Sequence, residues 1–298
     1  MNTKSKPSFY LVGAPKAGTS ALASLLDQHP QISMCKIKES NFHCHDLDLP
    51  KPKSEKEYLS LFPVTSDTKV LADASILSLY SHDSAQSIAE YVDSPKVLMI
   101  LRNPVDAMYS WYSQMSFVRN EHLPNFQAAL DAEPERKKGN LIPNYGAIQY
   151  CPQLLYYRDI MRYAEQVERY FSLFKPEQIM ILTYDDFKHN LDKVYSQALE
   201  FINVAPFTPQ QEKVNANKER RLPGLHSFLK KTLAEPAKAL LPSRLRSEII
   251  MIIDKINSKE VQRPQLEEDF KASLKQECLP DIIRLEKLIN RDLSHWYA

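Results

Sequence analysis

The segment Phe9-Tyr10-Leu11-Val12-Gly13-Ala14-Pro15-Lys16-Ala17-Gly18-Thr19-Ser20 restricts the fold more than any other part of the chain. Phe9 to Gly13 reads as a buried strand, and from Gly18 to Gln28 the leucines at 22, 25 and 26 recur at helical spacing. The chain has only five glycines, at 13, 18, 139, 146 and 224, where average usage of about 7% would supply roughly twenty. Two of the five fall in this one turn, which predicts a backbone at positive φ or in close approach to a ligand. Between a strand and a helix, a G-x-x-x-x-G frame lets backbone N–H groups and a helix N-terminus hold phosphate oxygens. A nucleotide-hydrolysing loop carries Lys directly after the second glycine and then a Ser or Thr for magnesium. Here Thr19 takes the lysine's place, and Lys16 lies inside the loop, where its ammonium can reach over a phosphate bound at the helix start.

Further strands are expected at Lys69–Ala74, Lys96–Leu101 and Gln178–Thr183. They alternate with helices over Ser84–Val92, from Pro104 to Met115 behind an Asn103 N-cap, and over an amphipathic Asp185–Ile202. Strands and helices in alternation imply a parallel sheet. Helical insertions are expected at Pro124–Ala132 and Cys151–Phe174, a solvated charged loop at Asp131–Gly139, and an all-helical stretch from Leu225 onward. The expected fold is therefore α/β, a P-loop-type three-layer arrangement with a central parallel sheet, flanking helices and a mostly helical C-terminal portion, as a single domain over 1–298. Lys and Arg number 38 against 37 Asp and Glu, which excludes the broad basic excess of a nucleic-acid binder. No apolar run is long enough for a transmembrane helix or a secretory signal. The four cysteines lack C-x-x-C spacing, so reduced thiols and a cytoplasmic location are expected. His43-Cys44-His45-Asp46 lacks a second ligand pair, so no metal is expected there.

Pro15-Lys16-Ala17-Gly18-Thr19-Ser20-Ala21-Leu22 resembles the 5′-phosphosulfate loop of sulfotransferases that use 3′-phosphoadenosine 5′-phosphosulfate (PAPS). Many members have Thr at the place of Ser20. Arg102 at a strand end, with Ser110 eight residues on, resembles the same family's 3′-phosphate motif. An Arg fork and a hydroxyl at the carboxyl edge of a sheet suit a phosphate. Leu182-Thr183-Tyr184-Asp185-Asp186 is similar to the segment whose Tyr lies against adenine, with Asp185 in place of a Glu. Asn217-Lys218-Glu219-Arg220-Arg221 resembles the late basic loop over the 3′-phosphate, and either Arg220 or Arg221 is expected to make the contact. Leu285 to Trp296 resembles the C-terminal helix of the carbohydrate and bacterial branches.

The resemblance implies PAPS as cofactor, 3′,5′-bisphosphate nucleotide (PAP) as product, and Lys16, Ala17, Gly18, Thr19, Ser20, Ala21, Arg102, Ser110, Tyr184, Arg220 and Arg221 as nucleotide contacts. It implies no metal for the chemistry. Sulfuryl transfer needs positive charge on the leaving phosphate, which Lys16 can supply, and a base for the acceptor hydroxyl. Lys38-Glu39-Ser40-Asn41-Phe42 resembles the K-E-x-x-F segment of the heparan sulfate branch, where the Glu is the base. Glu39 is the expected base and His82, in the region where the cytosolic branch carries a catalytic His, the alternative. Ala74 stands where heparan members often carry Lys, a departure at the acceptor side. The expected acceptor is a hydroxyl of a carbohydrate, glycolipid or other small metabolite. The rival readings are a P-loop nucleotide kinase or hydrolase and a PAP-binding module without turnover. Oligomeric state is not legible in the sequence.

Overall fold

The computed structural model describes residues 6–210, 218–220, 258–260 and 264–298. Five strands form one parallel sheet in the order β2-β3-β1-β4-β5. They are β1 (Phe9–Gly13), β2 (Ile32–Met34), β3 (Val70–Asp73), β4 (Lys96–Leu101) and β5 (Ile179–Thr183). β1 and most of β4 are buried along their length, as expected of parallel strands covered on both faces. β2, a strand of three residues, is too short to announce itself by periodicity. The helix α1 (Thr19–Leu26) follows β1, and α2 (Glu55–Ser60) and α3 (Ser84–Tyr91) flank β3 in sequence. After β4 comes α4 (Pro104–Phe117), capped by the Asn103 side chain, which accepts from Val105 N–H, with Pro104 at its first turn as expected.

Successive strands from β1 are laid down on one side of the sheet, whereas β4 leads to β5 on the other. The crevice between β1 and β4 is thus the topological switch point, where open α/β sheets bind ligands at the carboxyl ends of their strands. The β1–β4 register shifts between Leu11 and Gly13, and Ala14 N–H reaches across to the Ile100 carbonyl at 2.7 Å.

Three expectations are corrected. The charged segment Asp131–Gly139 is not a solvated loop: α5 (Phe126–Asp131) leads into α6 (Glu133–Lys137), and Arg136 is fully buried in a two-pronged pair with Glu121 (2.8 and 2.7 Å), to which Tyr157 also donates. Hydrogen bonds from Arg136 and Tyr157 hold the Glu121 carboxyl below its ordinary range against the upward push of burial. The expected helix over Asp185–Ile202 is two, α9 (Tyr184–His189) and α10 (Leu191–Phe201), because Asn190 adopts an extended φ and its side chain caps the second by accepting from Lys193 N–H. Finally, the region after Leu225 is not all helix. β6 (Lys218–Arg220) and β7 (Ser258–Glu260) pair antiparallel, and a C-terminal helix spans Glu268–Ile289. The insertion expected at Cys151–Phe174 is broken into a 3-10 turn, α7 (Tyr157–Ile160) and α8 (Tyr163–Phe171). By contact clustering the chain forms one compact unit from Met1–Glu212 with Glu267–Ala298, and a second from Lys213–Leu266. Among the described residues no helix is long and apolar enough to cross a membrane.

Candidate active site

The site is built at the carboxyl ends of β1, β3, β4 and β5. Gly18 ends the loop after β1 with φ +91°, and a Cβ there would stand 3.2 Å from the Phe187 ring and 3.5 Å from the Tyr184 ring. Only glycine combines that conformation with that clearance. Gly13 is equally tight at the other end of the loop: its Cβ would lie 2.7 Å from Leu79 Cβ and 3.1 Å from the Ile76 carbonyl. Thr19 is buried, so the hydroxyl in the place of a hydrolase lysine is a packed side chain. Because the first N–H groups of α1 have no carbonyl partner within the helix, the loop and helix start form a cradle of donors.

Lys16 itself has φ +64°; its Nζ donates to Gln114 Oε1 at 2.8 Å, and its carbonyl accepts from Arg102 Nη1 at 2.9 Å. Arg102 thus joins the end of β4 to the β1 loop. The ring of Tyr184, at the start of α9, lies 4.5 Å from the Arg102 guanidinium carbon, a cation–π contact. Arg102 Nε is buried with no hydrogen-bond partner among the described residues. A buried guanidinium donor left over at a sheet's carboxyl edge is costly unless an anion completes it. Ser110 is buried on α4. The residues present therefore fit a nucleotide carrying two phosphate groups, one at the α1 cradle and one at Arg102.

Glu39 reaches the same region from the segment after β2. It is half-buried at φ +69°, its Oε2 accepts from Ile76 N–H at 3.0 Å, and its Oε1 pairs with Lys38 Nζ at 2.7 Å. Since the Ile76 carbonyl packs against Gly13, one residue links Glu39 to the base of the phosphate loop. Burial raises the Glu39 carboxyl above its ordinary value, against the downward pull of Lys38 and the Ile76 N–H, and the Asp73 charge adds to the rise. The segment is held by Asp73 at the end of β3. This buried carboxylate receives Ser40 Oγ (2.5 Å), Ser75 Oγ (2.6 Å) and Tyr58 OH (2.7 Å). Ser75 Oγ accepts from Asn41 N–H and Ser40 Oγ from Phe42 N–H, so both serine protons are committed to Asp73. Tyr58→Phe removes one donor from this buried carboxylate and is expected to cost about 2 kcal/mol of stability, to be measured by urea denaturation; an unchanged midpoint would show that Asp73 does not need the third hydroxyl.

His82 lies elsewhere: it is exposed at the start of α3, with its backbone N–H on Asp46 Oδ2 at 2.9 Å. Arg220 lies on β6 opposite Ser258, in the second unit, and Arg221 is outside the described residues. His43 and His45 both bond Ser87 Oγ, at 2.8 and 3.1 Å, and burial depresses the His43 imidazole to about 3. Among the described residues no group of three or more His, Cys, Asp or Glu is placed to hold a metal ion. Sequence reasoning missed Gln114 and the serine–tyrosine support of Asp73. Gln114 was within reach of inference, because it lies four residues after Ser110 and so on the same face of α4.

A protein-family model for the sulfotransferase domain matches residues 6–223. The mouse bifunctional heparan sulfate N-deacetylase/N-sulfotransferase 3 is 26% identical over 229 residues, which is 67% of this chain and 22% of that protein. Human carbohydrate sulfotransferase 15 is 21% identical over 256 residues, covering 69% of this chain and 45% of the relative. The chain therefore spans about a fifth to a half of the length of these curated relatives. Among solved structures, a sulfotransferase from Alicyclobacillus acidocaldarius superposes with a TM-score of 0.73 at 26% identity, covering 99% of this chain and 100% of that one.

Proposed function

This chain belongs to the sulfotransferase domain family, and from that premise we propose that it moves the sulfuryl group of PAPS to an acceptor hydroxyl of a carbohydrate, glycolipid or other small metabolite. The observation that carries the reading is Arg102, which grips the β1 loop through the Lys16 carbonyl, lies against the Tyr184 ring and keeps a buried Nε unpaired. When bound, PAPS supplies the sulfuryl group and a phosphate leaving group. The chain's own part is to bind, to orient and to move one proton. Backbone N–H groups from Gly18 to Ala21, with the Ser20 hydroxyl, hold the 5′ end; Arg102 and Ser110 hold the 3′-phosphate, joined by Arg220 or Arg221; Tyr184 lies against the base. Lys16 releases the neutral Gln114 amide and turns its ammonium to the leaving oxygen, where charge accumulates in the transition state. Glu39 takes the proton of the acceptor hydroxyl. Its link through Ile76 to the phosphate loop favours it over His82.

A base acts only when deprotonated. With the Glu39 carboxyl raised by burial, activity is expected to be full above that raised value and to fall as pH drops through it, at a higher pH than an ordinary glutamate's about 4.3.

Arg102→Ala is expected to weaken PAP binding about tenfold or more while leaving AMP, which lacks the 3′-phosphate, nearly unaffected, because the lost contact is a charge-assisted fork to that phosphate. Calorimetric titration of both nucleotides tests this, and equal losses would make Arg102 purely structural. A kinase or hydrolase would instead be stabilised against heating by ATP with magnesium rather than by PAP. A module without turnover would bind PAP and transfer sulfate from radiolabelled PAPS to no acceptor.

A further inference from the structure

The C-terminal helix ends at Asn290, which adopts a left-handed conformation, and the residues beyond it are hydrogen-bonded to the carboxyl ends of β4 and β5. Arg291 Nη2 donates to Asp186 Oδ1 at 2.6 Å and to Thr183 Oγ1 at 3.2 Å. Although burial pushes the Asp186 carboxyl up, the Arg291 bond and those of Thr183 outweigh it and hold the group down at about 2. Trp296 Nε1 donates to Asp185 Oδ2 at 3.1 Å, and His295 Nε2 lies 3.1 Å from the same oxygen. On the other side, Asn103 Nδ2 donates to the Trp296 carbonyl at 2.8 Å while Asn103 Oδ1 caps α4. Leu293 and Trp296 are buried, which anchors the segment.

Trp296 therefore spans two strand ends: its indole N–H is fixed to Asp185, which follows Tyr184, and its carbonyl to Asn103, which follows Arg102. Those two neighbours are the stacked pair of the nucleotide site. We propose that the segment Arg291–Trp296 is a strap that positions Arg102 and Tyr184 for the nucleotide, with His295 and Trp296 as positioning residues that themselves touch no nucleotide. The inference rests on the reading that Arg102 and Tyr184 hold the nucleotide. Without the strap, Tyr184 and Arg102 would each sample further rotamers, and binding would have to select the paired arrangement, weakening the apparent affinity by the fraction lost.

The test is calorimetric titration of the full chain with PAP and with AMP, alongside thermal unfolding without ligand. The variants are Trp296→Phe, which keeps an aromatic ring but loses the N–H, His295→Ala, their combination, and Arg102→Ala as reference. The combined variant is expected to bind PAP about tenfold more weakly and AMP less affected, so that the preference for PAP over AMP falls. A change in fold stability alone would not alter affinity in protein that is still folded at the titration temperature. Should Trp296→Phe prove too unstable to titrate, His295→Ala, altered at a half-exposed ring, is expected to weaken PAP about threefold. PAP affinity within twofold of the unaltered chain in folded variants, or equal losses for both nucleotides, overturns the strap. If Arg102→Ala lowers the PAP preference while the strap variants do not, only the strap falls; if Arg102→Ala leaves that preference unchanged, the nucleotide reading falls and the strap with it.

Discussion

Lys16→Ala is expected to slow sulfuryl transfer by about 10²–10³, equivalent to about 2.7–4 kcal/mol of transition-state stabilisation, the size of losing an oxyanion donor in a water-excluded site. The fold should survive, because the contacts that shape the loop do not use the ammonium. Arg102 bonds the Lys16 carbonyl, which alanine retains, and the tight packing at either end belongs to Gly13 and Gly18. Gln114 loses its partner at a half-buried position, a small change beside the rate effect. PAP affinity should change much less than turnover, since the charge develops on the leaving oxygen only as the bond breaks. Initial rates with radiolabelled PAPS and a panel of carbohydrate and small-molecule hydroxyls measure the loss. Near-normal rates would remove Lys16 from the chemistry.

Glu39→Gln should produce the other large loss, about 10²–10⁴ in rate, with PAP affinity held within a few-fold. The glutamine oxygen can still accept from Ile76 N–H, so the segment stays in place while the proton acceptor disappears. The lost Lys38 pair is a partly exposed one (33% and 31% exposed side chains) and contributes little to stability. With Glu39 gone, the fall of activity at low pH assigned to it should vanish from whatever rate remains. His82→Ala, made in parallel, should be mild. An active Glu39→Gln protein beside a dead His82→Ala protein would transfer the role of base to the histidine.

Much of the fold was legible because its signals are local. The apolar run of β1, the two glycines of the turn, and the Asn103-Pro104 start of α4 act through residues a few positions apart, and each stands where expected. The failures are also instructive. Asn190 was read as one more residue of a long amphipathic helix, although Asn at that place can cap a new helix and does so. The acidic and basic run around Arg136 was read as solvated because a charge pattern carries no record of a partner fifteen residues upstream; only the folded chain delivers Glu121 and Tyr157 to bury it.

By itself, then, the sequence determined an α/β chain opening on a phosphate loop, and the residue types such a loop and its partner strand require. The tertiary structure alone decided how those groups meet: Arg102 on the carbonyl of Lys16, Lys16 on Gln114, Glu39 on Ile76 beside Gly13, and Trp296 across the ends of β4 and β5. The physical reason is separation along the chain. Arg102 and Lys16 are 86 residues apart and Asn103 and Trp296 are 193 apart, so no propensity or periodicity connects them. Their meeting follows from the order in which the parallel strands stack, which brings four distant strand ends to one edge.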